Sequence, residues 1–227
     1  MNPGTDFCEL LRWNVNLTKI LGIDVLVDEA EKYMQINDSF DMDISFWEQL
    51  QSRYAGYDVA FCYHNSAPPV EFLSSIGAAI VDDSIEMRLS KDEPLIAIAH
   101  DVHPIDESSF GVFAALHDRR NPDMYWTSGR VGEDLSRWGI FAGVTCGVMT
   151  GYVMMAMWDP AQAEIFCVEA DNAERGLSLI IAAAQHAFLA GKPQVLYMAD
   201  KGTMQRAAAT SAGFRDTGYY QGFMVKT

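Results

Sequence analysis

Three things are scarce in this chain. The first is positive charge: 16 Lys and Arg stand against 31 Asp and Glu, a formal net charge of −15. Binding to nucleic acid needs a basic face that neutralises phosphates, so no nucleic-acid partner is expected. The acidic balance has two readings, solubility alone or attraction of a cationic substrate such as an amine. The second is a long apolar run. None reaches ~18 uncharged residues, so no membrane span is expected. The opening "MNPGTDFCELLRWNV" also lacks the basic-then-apolar pattern of a secretory signal, and the cytoplasm is the expected compartment. The third is cysteine. Cys8, Cys62, Cys146 and Cys167 are too widely spaced for a C-x-x-C or zinc pattern. Cys62 and Cys167 sit in apolar runs and read as small buried hydrophobes.

What is present is a sizeable core. Of 227 residues, 49% are apolar and 21% charged, enough for one large domain or two small ones. Residues 94–227 alternate cleanly. "PLIAIAHDV" (94–102) reads as a strand. In 105–120, Phe110, Phe113, Ala114 and His117 fall at helical spacing. A turn-rich loop (121–130) and a short helix (131–138) follow. "GIFAGVTCGV" and "GYVMMAMW" read as two strands joined by a turn at Met149–Gly151. Then come a strand at 163–170, an Ala-rich helix at 173–191, a strand at 194–200, a helix at 203–213 and a strand at 219–226. The order β-α-α-β-β-β-α-β-α-β makes a mixed α/β (α+β) fold with helices packed on a mixed sheet.

The first part is less regular. Helices are expected at 8–21, 44–56 and 68–77, and strands at 24–30, 32–38, 58–64 and 85–90. "SKDEP" (90–94) is polar and Pro-terminated, and it separates domains 1–92 and 93–227. A weak repeat links the two. With Gly77 set on Gly213, an offset of 136, Asp58 falls on Gln194 and Ser75 on Ser211. Both copies read strand, helix, glycine, strand.

One junction, "VEADNAERGLSL" (168–179), has the pattern of an anion site: a strand end, a turn and the start of an apolar helix. A helix N-terminus offers unpaired N–H groups and a partial positive charge, and Gly176 lets a ligand approach the backbone. The alternative is a helix merely capped by Asp171 or Asn172, with Glu174 suited to the helix dipole and no ligand at all. "HDVHPIDE" (100–107) offers His100 and His103. Three residues apart on a strand they face opposite sides, so no metal site is expected.

Element order, the junction "AERGLS" (173–178) and the later Gly213-Phe214 together resemble the GNAT superfamily of acyl-CoA-dependent N-acyltransferases. The resemblance covers 94–227. The first 92 residues resemble only the back half of such a fold, as a degenerate, non-catalytic copy in a tandem arrangement. The family's Q/R-x-x-G-x-G/A here has Ala173 in its first place and Ser178 in its last. The tyrosine expected four residues before the GF glycine is Ala209.

The resemblance implies acyl transfer, in the first instance acetyl transfer, from acetyl-CoA or another acyl-CoA to a small-molecule or peptide amine by direct attack, without a metal. It places the cofactor on Val168, Ala170, Ala173, Glu174, Arg175, Gly176, Leu177 and Ser178. It names Glu164 as candidate base, with Glu169 at the other end of the same strand, and Tyr219 as candidate acid beside Tyr197 and Tyr220. Tyr125 and Trp126 would line the acceptor pocket. A homodimer is left open. The competing readings are a CoA-binding or regulatory protein without turnover, and a scaffold that uses the first 92 residues.

Overall fold

The computed structural model describes residues 15–95, 101–122, 124 and 126–227. These form two compact units. The first comprises the chain through Ser84 together with 218–227, and the second comprises 85–217. The division falls inside two strands rather than at the polar stretch 90–94.

In the first unit, β1 (Val15–Ile20) and β2 (Ile23–Asp28) form a hairpin. Leu21 and Gly22 both have positive φ (49° and 86°), the two-residue turn that matches strand twist. The helix expected over 8–21 is therefore corrected over 15–20, and residues 8–14 lie outside the described residues. β3 (Tyr33–Asn37) runs parallel to β4 (Asp58–His64). Between them α1 (Ile44–Arg53) starts on Asp43, whose carboxylate accepts the Phe46 N–H at 3.0 Å. Its Phe46, Trp47 and Leu50 pack on Val59, Phe61 and Tyr63 of β4. After α2 (Val70–Ser75) the chain enters β5 (Ala79–Ser90). The other neighbour of β4 is the chain's last strand, β11 (Arg215–Lys226), paired from Tyr220 opposite His64 to Lys226 opposite Asp58.

The second unit has sheet order β5-β10-β9-β8-β7-β6. β6 (Val102–Pro104) leads to α3 (Phe110–Arg120), α4 (Ser128–Glu133) and a 3-10 turn at Leu135–Arg137. Of the strand expected at 94–102, residues 96–100 lie outside the described residues. β7 (Trp138–Thr145) and β8 (Val148–Ala156) turn at Cys146-Gly147, both with positive φ (51° and 76°). The expected turn at Met149–Gly151 is corrected: those residues belong to β8 itself. β9 (Ala163–Glu169), α5 (Ala173–Leu189), β10 (Gln194–Asp200) and α6 (Met204–Ser211) follow. α5 buries Leu179, Ile180, Ala183 and Ala187 against Val153, Ile165 and Val195, with Met87 and Leu89 of β5 in the same core.

The repeat is present in three dimensions at the offset of 136. β4 maps onto β10 and β5 onto β11, end for end. Both helices close the same way, with the Ala78 N–H on Leu73 O (2.9 Å) matched by the Phe214 N–H on Ala209 O (3.0 Å). Gly77 and Gly213 supply the positive φ (77° and 101°) that this closure needs. The last strand of each copy serves the other copy's unit. Residues 85–90 complete the second unit and 218–226 complete the first. The equivalent bonds Lys91 N–H to Pro193 O (3.0 Å) and Thr227 N–H to Tyr57 O (2.9 Å) mark the ends of these strands.

Candidate active site

The site begins with a flaw in a strand. β9 pairs with β10 in parallel only from Ala163 to Ile165, opposite Val195 to Tyr197. Beyond that the ladder stops and the two strands part. On the β8 side Met154 faces Cys167 and Met155 faces Ile165, so Phe166 is an extra residue, a β-bulge. The bulge shifts the alternation of the strand. Ala163, Ile165 and Val168 all face the core beneath α5, which an unbroken strand could not achieve. Into the gap reaches Gln205 of α6, whose Nε2 donates to the Val168 carbonyl at 3.4 Å. In an extended strand the N–H and C=O of one residue point to the same side. With that geometry at Val168, its N–H would turn toward the gap as well.

Directly after β9, Asn172 caps α5 by accepting the Arg175 N–H at 2.9 Å, and its carbonyl accepts the Gly176 N–H at 3.0 Å. The N–H groups of Ala173 and Glu174 thus precede the first intrahelical bond, and both residues are exposed. A hollow of about 150 Å³ there is lined by Asn172, Glu174, Arg175 and Ser178. The Arg175 guanidinium donates to Asp101 O, Val144 O and Thr145 Oγ1 (3.4, 3.4 and 2.8 Å). Its stem crosses Gly143, where a Cβ would overlap the Arg175 Cδ. These partners are neutral oxygens, so the positive charge is not cancelled by them. Ser178 is buried and its hydroxyl donates to Glu174 O at 2.9 Å. A Cβ on Gly176 would lie 3.5 Å from that of Ala208 and 3.7 Å from that of Ala170, ordinary contacts. Glycine is therefore not demanded here by the protein's own packing. Leu177 packs partly on the core.

On the opposite face of the sheet α3 brings a second set of groups. His117 is fully buried. Its Nε2 lies 2.7 Å from the Trp126 carbonyl, which can only accept, so Nε2 carries a hydrogen. The Tyr152 oxygen accepts from Asn121 Nδ2 (2.7 Å) and from the Cys167 thiol (3.7 Å). Its own proton goes to His117 Nδ1 at 2.8 Å. At the rim of this network Arg120 pairs with Glu169 at 3.2 Å. Trp126 is 7% exposed, its ring covered by Trp138, Trp158 and Phe166. Tyr125 lies outside the described residues.

The other sequence candidates are placed as follows. Glu164 sits where β9 is still paired on both sides, opposite Ala156 and Leu196. Glu169 lies beyond the end of the β10 ladder, next to Val168. Tyr219 is 36% exposed and belongs to the first unit, its N–H held by Asn65 Oδ1 at 2.9 Å. Ala209 is fully buried. Tyr197 is buried beneath α5, and that burial pushes its phenol well above its ordinary pKa. His103 lies on β6 and His100 outside the described residues. Among the described residues no group of three or more His, Cys, Asp or Glu could hold a metal, and no helix is long and apolar enough to cross a membrane. Sequence reasoning missed the bulge, Gln205, and the Arg120–Glu169 pair. Only the pair left a signal, a carboxylate at a strand end opposite the basic last turn of a helix.

The thiols give a direct check. Burial pushes Cys62 up to about 11 and Cys167 up to about 12, whereas Cys146 is exposed at its hairpin tip. Only a thiolate reacts quickly. With Cys8 changed to serine, a maleimide at neutral pH should label Cys146 alone in the native protein and all three cysteines after unfolding. Fast native labelling of Cys167 would contradict the burial of the network.

No family model and no curated protein sequence matches this chain. Solved structures do. A GCN5-related N-acetyltransferase from Sphaerobacter thermophilus superposes with a TM-score of 0.67 at 14% identity, over 89% of this chain and 76% of the other. One from Kribbella flavida gives 0.67 at 12%, over 96% and 91%. A tandem GNAT protein from the clavulanic acid biosynthesis pathway gives 0.56 at 12%, over 90% and 78%. With the strand order, the parted β9 and β10, and the helix that opens beside them, these likenesses establish that the chain has the GNAT fold.

Proposed function

We propose that this protein transfers an acyl group, in the first instance acetyl, from acyl-CoA to an amine, and that it does so in the cytoplasm. The observation that carries the reading is the gap at Val168. The parted edge of β9 suits an extended pantetheine arm, and α5 opens next to it for the pyrophosphate. The N–H groups of Ala173 and Glu174 and the charge of Arg175 would hold that anion. The Val168 N–H would polarise the thioester carbonyl. An amine held on the α3 face would attack the carbonyl carbon, and Glu169 would take its proton. The carbonyl re-forms as the thiolate leaves. A thiolate is a tolerable leaving anion, so an alanine at 209 does not block the step.

Isothermal titration with acetyl-CoA tests the reading. Saturable binding is expected, weakened about tenfold by Arg175→Ala, on the scale of a charge-assisted hydrogen bond. Absence of binding up to millimolar concentration would sink it. Ala173 and Ala209, standing where the resembled family has other residues, motivate a second reading, a CoA-binding protein without turnover. Amine-dependent release of free thiol separates the two.

A further inference from the structure

The gap holds one polar side chain that the reading above leaves idle. Gln205 is half-buried in the first turn of α6, and its Nε2 reaches the Val168 carbonyl. One turn further along the same helix face stands Ala209, fully buried and packed into the core. The side chain that α6 sends to the reactive end of β9 is therefore a carboxamide, not an acid. A carboxamide nitrogen has two hydrogens. One is engaged by Val168 O. The other is not used in that bond.

We infer that Gln205 is a catalytic hydrogen-bond donor, forming with the Val168 N–H a two-donor site for the negative charge that develops on the thioester carbonyl oxygen. This rests on the acyl-transfer reading. When the amine nitrogen bonds to the carbonyl carbon, the C=O π pair moves onto oxygen. Two fixed donors meet that charge without reorganising. When the pair returns, the C–S bond breaks and sulfur leaves with its electrons. Gln205 gives up no proton at any stage, and the proton that the amine nitrogen loses goes to Glu169.

Two variants test this. Gln205→Leu keeps the volume and removes the donor. It should lower kcat roughly 10²-fold, the scale of a lost oxyanion donor, with KM for acyl-CoA within about threefold of wild type. Gln205→Glu keeps the shape and adds a titratable group. As a carboxylate it opposes the developing charge; protonated, it can donate. Its kcat relative to wild type should rise as pH falls from about 8 toward its carboxyl pKa near 4.3. Thermal melts of both variants monitor folding. Wild-type kcat in Gln205→Leu, or a pH-independent ratio in Gln205→Glu, overturns the inference. So does a wild-type protein that binds acetyl-CoA calorimetrically but shows no turnover, an outcome that leaves the cofactor site standing. Failure of wild type to bind at all is seen in the same titration and strikes the underlying reading instead.

Discussion

Residues 93–227 expressed alone should fail to fold. The polar stretch at 90–94 invites that cut, and the resemblance to a complete acyltransferase domain makes it the natural fragment. Yet the second unit takes its strand beside β10 from 85–90. Met87 and Leu89 of that strand are fully buried in the core under α5. Each represents about 1.5–3 kcal/mol of burial. On the other face Arg88 bonds Glu86 at 2.6 Å and Gln162 at 3.2 Å, and Glu86 is 3% exposed. The cut removes all of these and leaves the β10 edge unpaired. Against a typical domain stability of ~5–15 kcal/mol, that loss is decisive. The fragment also carries 218–226 without β4, the strand it pairs with. Circular dichroism and a thermal melt should show no cooperative transition, whereas the full chain melts cooperatively. A fragment melting near the full-chain Tm would refute the exchange of strands. In the full chain, Leu89→Ala should cost about 2–5 kcal/mol. It follows that deleting the first 92 residues cannot separate a scaffold role from transfer.

Glu169→Gln should lower kcat/KM by about 10²–10⁴-fold, the usual contribution of a general base. The loss should exceed that from Glu164→Gln by at least about tenfold. Both are strand carboxylates, and composition does not rank them. Position does. Glu164 lies within the paired part of β9; Glu169 adjoins Val168 beyond the last β10 pairing, on the face that α3 covers. The Arg120 pair is about a third exposed, so breaking it changes stability by at most about 1 kcal/mol. A normal melt with lost turnover would separate chemistry from folding. A larger loss from Glu164→Gln would return the base to the other end of the strand.

Both positions show what the sequence could and could not convey. β4 and β10 are legible end for end because their apolar runs are bounded by Asp, Gly and Pro, and α5 because its Ala and Leu content leaves no alternative. The Asn172 cap is legible too, as one of two residues able to fill that place. The strand over 15–20 is not, because its turn is Leu21-Gly22 rather than Asn-Gly or Asp-Gly. Cys146-Gly147 conceals the second hairpin in the same way. The bulge at Phe166 involves no unusual residue; it is set by how three strands twist together. With the bulge hidden, so are the direction of the Val168 amide and the choice between Glu164 and Glu169. Nor does the sequence show that the Ser178 hydroxyl bonds one turn back, to Glu174 O.

The exchanged strands also set an order of events. Tyr57 and Thr227, which hydrogen-bond at 2.9 Å, are 170 residues apart in the chain. N-terminal domains ordinarily settle while the rest is still being synthesised. Here the first unit must wait, β4 unpaired on one flank, until β11 emerges. Such long loop closure slows folding and leaves a bare, apolar strand edge on display meanwhile. Production of this protein should therefore depend on how well that edge is shielded during synthesis, by chaperones or by low temperature, more than on the stability of the finished fold.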